Sequence, residues 1–360
     1  MLFLIIAFLV PFYLCLRIIK SYMKYYFFLI IIFIVLFSCK EDRDIPKILI
    51  SEFENHAVDF STIAEKIDTI PLLIGLNNPV VGQPKGIALN DSLIFVVDES
   101  NTIFKFYLQN GSFSKLNQSV GQTNKEYTDI NAISLLNDRL YVLDQQSQKI
   151  IIFDLNLKYV SNIKLNFIPM DFCCIDNGFL LSRLDVSKDN TKRFVRTDYE
   201  GNILETYISA SPFVGNIASL HSFTGSLDSG IFIHETASPR IYKWENNRIS
   251  LAYILEFPQY TQPNMENKTI QIKDAYITDN NIICSFLFRQ RQYYIIYNKK
   301  IQNGKAGYFD LNSGLPFFPM GQYENSILSI FHKEDLERLE NWSPKSKDNS
   351  AQLFLFRYYF

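Results

Sequence analysis

The sequence is poor in the residues from which most catalytic and cross-linked sites are built. Five cysteines and four histidines occur in 360 residues. After Cys39 only Cys173, Cys174 and Cys284 remain, an odd and badly spaced set that excludes a disulfide framework even in an oxidising compartment. The adjacent pair lies in an apolar segment and reads as small hydrophobic packing. His56, His221, His234 and His332 never recur at a spacing that lets one element present two ligands to zinc. A charge excess is missing as well: 35 Lys and Arg against 37 Asp and Glu, with an isoelectric point near 6.1, leave no basic footprint for nucleic acid. The chain lacks a phosphate-binding glycine loop, a Gly-x-Ser-x-Gly elbow and an EF-hand loop, so no local motif announces an enzyme. A sustained period of 3.6 is also absent; only Lys333 to Leu339 reads as helical. Short runs of Ile, Phe, Tyr and Leu bounded by Asn, Asp, Ser and Gly give an all-β reading instead.

What is present begins at the N-terminus. Residues 23–39 run from Met23-Lys24 through an uncharged apolar stretch to Ser38-Cys39, the order of a secretion signal. The 13 residues from Tyr25 to Phe37 fall short of the roughly 20 that a membrane-spanning helix needs. Leu36-Phe37-Ser38-Cys39 resembles the lipobox of bacterial lipoproteins, although Phe37 stands where a small residue is usual. The resemblance implies a lipid on Cys39 and a tether to membrane. Lys40-Glu41-Asp42 resembles the acidic signal that sends some lipoproteins to the outer face of the outer membrane. The alternative, one or two membrane helices over 1–38, is opposed by Pro11 and Arg17. Residues 1–22 then read as an overextended gene start, 23–38 as signal peptide, 39–59 as a lipidated tether, and 60–360 as the folded domain.

The domain repeats itself. A polar turn followed by a short apolar strand occurs at Asn90-Asp91-Ser92, Asn137-Asp138-Arg139, Asp176-Asn177-Gly178, Asp228-Ser229-Gly230, Asp279-Asn280-Asn281 and Glu324-Asn325-Ser326. The first apolar residues after these turns, at 93, 140, 179, 231, 282 and 327, are separated by 47, 39, 52, 51 and 45 residues. A period in this range with several strands per unit is the signature of a β-propeller. Six copies predict six four-stranded antiparallel blades. The grammar is clearest in the first two: inner strand, turn, second strand ending in Asp98 or Asp144, turn, third strand. The strand-like stretches Ile67 to Ile74 and Ala351 to Phe360 are expected to share a blade, so that N- and C-terminal strands close the ring and protect an edge.

The lipobox, the six-fold spacing, the segment Gly121-Gln122-Thr123-Asn124-Lys125-Glu126-Tyr127 and the aromatic C-terminal strand together resemble the six-bladed β-propeller lipoproteins of Gram-negative gut bacteria. In that family the segment tends to read Gly-x-Gly-Pro-Gly-Glu-Tyr; Gly121, Glu126 and Tyr127 match, while Thr123, Asn124 and Lys125 depart. The chain is more distantly similar to NHL-type propellers, some of which bind proteins, peptides or glycans and some of which are enzymes. The resemblance implies an outer-membrane, lipid-anchored, surface-facing binding or scaffolding module for a glycan, a peptide or a partner envelope protein. The alternative is a calcium-dependent hydrolase or lyase working in the central channel.

Candidate site residues come from the blade grammar. Asn131, Asp171 and Asp274 each precede an apolar strand and are candidates for oxygen ligands converging on a calcium ion in the channel; the competing reading makes them hydrated or backbone-bonded residues of the channel mouth. Glu126 and Tyr127 are candidates for ligand contacts at the rim; the competing reading makes Glu126 a cap on loop amides and Tyr127 a wedge between blades. Aromatic residues reach 15% and serve mainly to fill the gaps between blades, with Tyr260 a candidate for stacking on a sugar ring.

Overall fold

The computed structural model describes residues 45–75, 79–184, 192–209, 221–226, 230–235, 238–258, 270–309, 317–339 and 351–360. From Pro46 onward the described chain forms one compact unit, Pro46–Phe360. It opens with β1 (Lys47–Leu49), β2 (Ala57–Val58) and β3 (Lys66–Leu73). Blade 1 is then β4 (Pro84–Leu89), β5 (Leu93–Asp98), β6 (Ile103–Tyr107) and β7 (Phe113–Asn117). Blade 2 is β8 (Ile130–Leu136), β9 (Arg139–Asp144), β10 (Lys149–Asp154) and β11 (Tyr159–Lys164). Blade 3 is β12 (Pro169–Ile175), β13 (Gly178–Arg183), β14 (Lys192–Thr197) and β15 (Ile203–Ser209). Blade 4 contains β16 (Phe223–Ser226), β17 (Gly230–His234), β18 (Arg240–Glu245) and β19 (Arg248–Glu256). Blade 5 contains β20 (Gln271–Ile277), β21 (Asn281–Phe288), β22 (Arg291–Asn298) and β23 (Asn303–Phe309). Blade 6 orders β24 (Gly321–Tyr323), β25 (Ser326–His332), β26 (Ala351–Tyr359) and, outermost, β3. The protein is a six-bladed β-propeller with antiparallel four-stranded blades.

The six apolar runs of the repeat are the second strands, β5, β9, β13, β17, β21 and β25. They are legible because both faces of each are covered: every residue of β5, and all of β25 but its last, is buried. The turns before them need backbone that most residues avoid. Asn137 and Asp138 take φ of 48° and 56°, the paired positive values of a tight hairpin. At Gly178, with φ of 136°, a Cβ would stand 1.9 Å from the Thr197 carbonyl oxygen, so glycine is required there.

Apolar side chains between successive blades gather into six clusters among the described residues, one for each interface around the ring. Blades 1 and 2 share Phe95, Val97, Leu140 and Val142. The interface between blades 6 and 1 holds Leu328, Leu355, Ile94 and Val96. The aromatic residues do fill the gaps: Phe317, for example, lies stacked on Phe60 with ring centroids 3.9 Å apart and meets Tyr358 edge-on at 5.1 Å.

Residues 46–58, expected to form part of the tether, are built into the propeller instead. β1 pairs in parallel with β19 on the outer edge of blade 4, and β2 in parallel with β23 on blade 5. Ile48 and Ile50 are buried there, and Phe53 is wholly buried with its ring 4.9 Å from Phe286 and 4.8 Å from Tyr293. Burial of these side chains stabilises the segment by about 1.5–3 kcal/mol each, enough to hold strands too short to show any periodicity. The short helix Lys333–Glu337 lies at the expected place. Cys39, Tyr260 and the turn residue Asp228 lie outside the described residues.

Candidate functional site

Inner strands β4, β8, β12, β16, β20 and β24 surround an axial chamber of about 690 Å³. Every blade contributes: Leu89, Leu135, Phe172, Phe223, Tyr276 and Gln322 all line it. Its mouth lies at the inner hairpins, where Asp138, Asp176 and Glu324 stand exposed. Thr224 lines the chamber with only 7% of its surface accessible, and its Oγ1 has no hydrogen-bond partner among the described residues. Gln322 donates from Nε2 to the Ile277 and Glu324 carbonyls at 2.7 and 3.0 Å, while its Oε1 has no partner among the described residues.

Four of the six inner strands, β4, β8, β12 and β20, share one irregularity that decides which side chains face alike. Register shifts fall between Pro84 and Gly86, Ile130 and Ala132, Pro169 and Asp171, and Ile272 and Asp274. The extra residues are therefore Lys85, Asn131, Met170 and Lys273, and a bulge reverses the facing of the residues beyond it. Asn131 corresponds to Met170 and Lys273 rather than to Asp171 and Asp274. Its amide is turned onto the next loop of its own blade: Nδ2 donates to Gln145 Oε1 at 3.1 Å and Oδ1 accepts from the Gln145 N–H at 3.1 Å.

Just beyond the bulge, the two sides of the ring differ. Blades 1 and 2 set Gly86 opposite Val97 and Ala132 opposite Leu143. Blades 3, 4 and 5 set Asp171 opposite Ser182, Ser222 beside His234, and Asp274 opposite Ser285. All six of these polar residues are buried. Asp171 Oδ2 accepts from the Ser222 N–H at 2.6 Å and the Phe223 N–H at 3.3 Å, fastening blade 3 to blade 4. Asp274 Oδ2 accepts from Ser285 Oγ at 2.9 Å within blade 5. His234 Nε2 lies 3.1 Å from the Lys273 carbonyl, joining blade 4 to blade 5. Burial pushes the Asp171 carboxyl up to about 6, against the pull of His221 and the amide donors. Burial likewise lowers His234 and raises the Tyr276 phenol.

Asn131, Asp171 and Asp274 are thus engaged by three different sets of partners. Among the described residues, no group of three or more His, Cys, Asp or Glu is placed to hold a metal ion. None of the three lines the axial chamber; Asp274 lines a second cavity of about 690 Å³ with Lys273, His332 and Arg338. Glu126 Oε2 accepts from the Thr123 N–H at 3.0 Å, which holds its carboxyl below the usual range. The Glu126 carboxylate also packs over Gly121, where a Cβ would lie 2.2 Å from that oxygen. Tyr127 is wholly buried between blades 1 and 2, with its hydroxyl 3.0 Å from the Asn117 carbonyl.

Sequence reasoning missed the chamber wall. Thr224 sits in a strand of four residues that shows no pattern, whereas Asp138, Asp176 and Glu324 were visible as turn residues. Asp98 and Asp144 were visible too, and their role is structural: Asp144, wholly buried, accepts from the Thr128 N–H and hydroxyl at 2.8 Å each and from the Ser147 N–H at 3.0 Å. Asp98 does the same with the N–H groups of Gly82 and Thr102.

A designated exported protein of Bacteroides fragilis has the same fold, with 13% identity and a TM-score of 0.70 over 86% of this chain and 98% of that one. A member of the DUF4221 family from Bacteroides vulgatus follows at 10% identity and a TM-score of 0.50, over 82% and 97%. No curated protein matches the sequence. The family model of DUF4934, described as a domain of unknown function, matches residues 46–355.

Proposed function

Since the chain belongs to the DUF4934 family, a domain of unknown function, we propose its role from its own residues: an exported binding or scaffolding module that receives its ligand in the axial chamber. The chamber carries the reading. Its volume of about 690 Å³ falls among small-molecule and peptide-side-chain sites, which span about 300–1,000 Å³, and its wall is pooled from all six blades.

The chemistry of the wall favours binding over catalysis. Cys173 and Cys174 line the chamber, but burial drives both thiols up, Cys174 to about 12, and the thiol rather than the thiolate is a poor nucleophile. Asp171 and Asp274 stand outside the chamber lining, with their Oδ2 atoms engaged by Ser222, Phe223 and Ser285. A glycan, a peptide or a segment of an envelope protein is the class of occupant.

Export rests on residues 23–39, with a lipid on Cys39 holding the module at the outer membrane; the designation of the Bacteroides fragilis protein as exported supports the same compartment. Two or three acyl chains at about 0.8 kcal/mol per buried methylene would make that anchor durable. Palmitate labelling of cells expressing the chain and Cys39→Ser checks it: label in the first and none in the second is expected, and equal labelling would defeat it.

The binding reading is tested by screening small glycans, peptides and fragments against the full chain and Ser134→Phe, a substitution that fills the chamber from β8. Binding lost in the variant is expected. Binding that persists unchanged places the site on the outer loops and overturns the reading.

A further inference from the structure

Beside the axis, blade 6 leaves part of a strand edge bare. Its inner strand β24 pairs with β25 only from Gly321 opposite Leu328 to Tyr323 opposite Ser326, whereas β25 runs on to His332 beside β26. The Met320 N–H donates to the Leu328 carbonyl at 2.8 Å, so Leu328 turns its peptide groups inward, and the alternation of an antiparallel strand turns those of Ile330 and His332 the same way. Among the described residues no strand pairs with them on that side. In blade 5 the inner strand keeps pace: β20 follows β21 as far as Gln271 opposite Leu287. The space beside the bare edge is the second cavity of about 690 Å³, lined by Ile330, Phe331 and His332 from blade 6 and by Lys273 and Asp274 from β20. It lies where the inner strands begin, at the end opposite the hairpin mouth of the axial chamber.

The chemistry around that edge points to one class of occupant. Asp274 is 6% exposed and lines the cavity. Its Oδ2 accepts from Ser285 Oγ at 2.9 Å, while Oδ1, which no described residue bonds, is not sealed from solvent. Phe318, 47% exposed, stands at the rim with its ring centroid 6.0 Å from that of Phe331, an apolar seat beside Pro319 and Met320. Lys273 and Arg338 balance Asp274 and Asp335 in the lining, so a net charge is not what the cavity selects. A peptide main chain is neutral and carries the alternating donors and acceptors that a bare strand edge lacks; strand addition draws affinity from those bonds and specificity from seats for alternate side chains. We propose that an extended peptide docks in the second cavity as the missing length of the blade 6 inner strand, pairing with Ile330 and His332, presenting a hydrogen-bond donor to Asp274 Oδ1 and seating an apolar side chain on Phe318. This site is separate from the axial chamber and stands or falls without it.

The probe is acetyl-Thr-Leu-Thr-Leu-Thr-amide, uncharged and extended, titrated calorimetrically into the full chain beside two modified forms, one N-methylated at its threonines and the other at its leucines. In an added strand alternate N–H groups face the neighbour. One methylated form therefore loses at least about tenfold in affinity, about 1.4 kcal/mol, and the other stays within a few-fold of the parent. Asp274→Asn weakens binding several-fold, and Phe318→Ala, at an exposed position on which folding does not depend, does the same. Ser134→Phe fills the axial chamber and separates the two cavities: binding retained in this variant is expected, and binding lost puts the peptide in the chamber and overturns the assignment. Absence of binding by the parent peptide, or methylated forms that both bind as it does, overturns it as well. A chain that dimerises on its own, in a form that Phe318→Ala dissociates, gives the edge to a second copy instead of a peptide.

Discussion

Blades 1 and 2 and blades 3 to 5 solve the same packing problem with opposite chemistry beside the axis. In the first pair the residues after the inner bulge are Gly86 with Val97 and Ala132 with Leu143, and the polar work is moved one residue on, to Asp98 and Asp144, which tie the entering loop by three or more donors in the case of Asp144. In blades 3 to 5 the polar groups stand beside the axis, as Asp171, Ser182, Ser222, His234, Asp274 and Ser285, and in blades 3 and 4 the place of the loop-binding Asp is taken by Arg183 and Glu235. Blades 1 and 2 are joined away from the axis, through Lys85 to Asp129 and the Ile130 N–H to Asn101 Oδ1, while the groups beside the axis are apolar. Blades 3 to 5 are joined beside the axis by buried titratable groups, through Asp171 to Ser222 and His234 to Lys273, so their stability depends on charge state.

This contrast predicts effects of graded size. The largest is expected at Glu235, whose carboxylate lies 3.2 Å from Arg193 with both side chains buried. Glu235→Ala leaves a buried guanidinium without its counter-charge and costs about 3–5 kcal/mol, measurable by urea unfolding. A loss under about 1 kcal/mol, the scale of an exposed pair, would place the weight of blade 4 elsewhere.

The next is a dependence on pH. Asp171 has a folded pKa raised to about 6 by burial, against about 3.9 unfolded. The native state therefore binds the proton more tightly; the stabilisation is complete below about pH 4 and is lost as pH rises through about 6, a decline of about 3 kcal/mol. His234, lowered by burial, acts in the opposite sense, losing stability as pH falls below the unfolded value. Comparing Asp171→Asn with the wild type across about pH 4 to 7 isolates the first: the stability difference should move by that amount between the ends of the window, and parallel curves would contradict it.

Asp144→Ala in blade 2 should cost about 1–3 kcal/mol, because it leaves the half-buried donors of Thr128 and Ser147 unmet, measurable by urea unfolding. A loss under about 0.5 kcal/mol would show that the entering loop of blade 2 is held by other contacts. The smallest effect is Tyr127→Phe, which removes the hydroxyl donated to the Asn117 carbonyl and should lower stability by about 1 kcal/mol while leaving ligand binding in the chamber unchanged. A loss of binding would return Tyr127 to the site.

The ring is legible in the sequence for a physical reason. The second strand of each blade is covered on both faces, so it appears as an unbroken apolar run after a polar turn, and the six runs set the blade count. Inner strands are not legible in the same way. One face meets the chamber, and a single extra residue reverses the alternation, so that Asn131 and Asp171 look equivalent by position yet face differently. Nothing in the residues marks the bulge. Residues 46–58 escaped notice because strands of three and two residues carry no period, although Ile48, Ile50 and Phe53 were apolar signals in a polar neighbourhood. The carboxylates of the mouth were seen for the wrong property. Asp138 and Glu324 satisfy the turn by their backbone, with φ of 56° and 49°, and the hairpin places their side chains at the mouth of the chamber.

The central claim is that the axial chamber is where this propeller binds. A crystal structure of the full chain, soaked with a collection of small amines, peptides and sugars, tests it most directly. The account predicts bound density inside the chamber, against residues such as Leu135, Ser134 and Phe223. Bound molecules confined to the outer loops, with only water in the chamber, would contradict it.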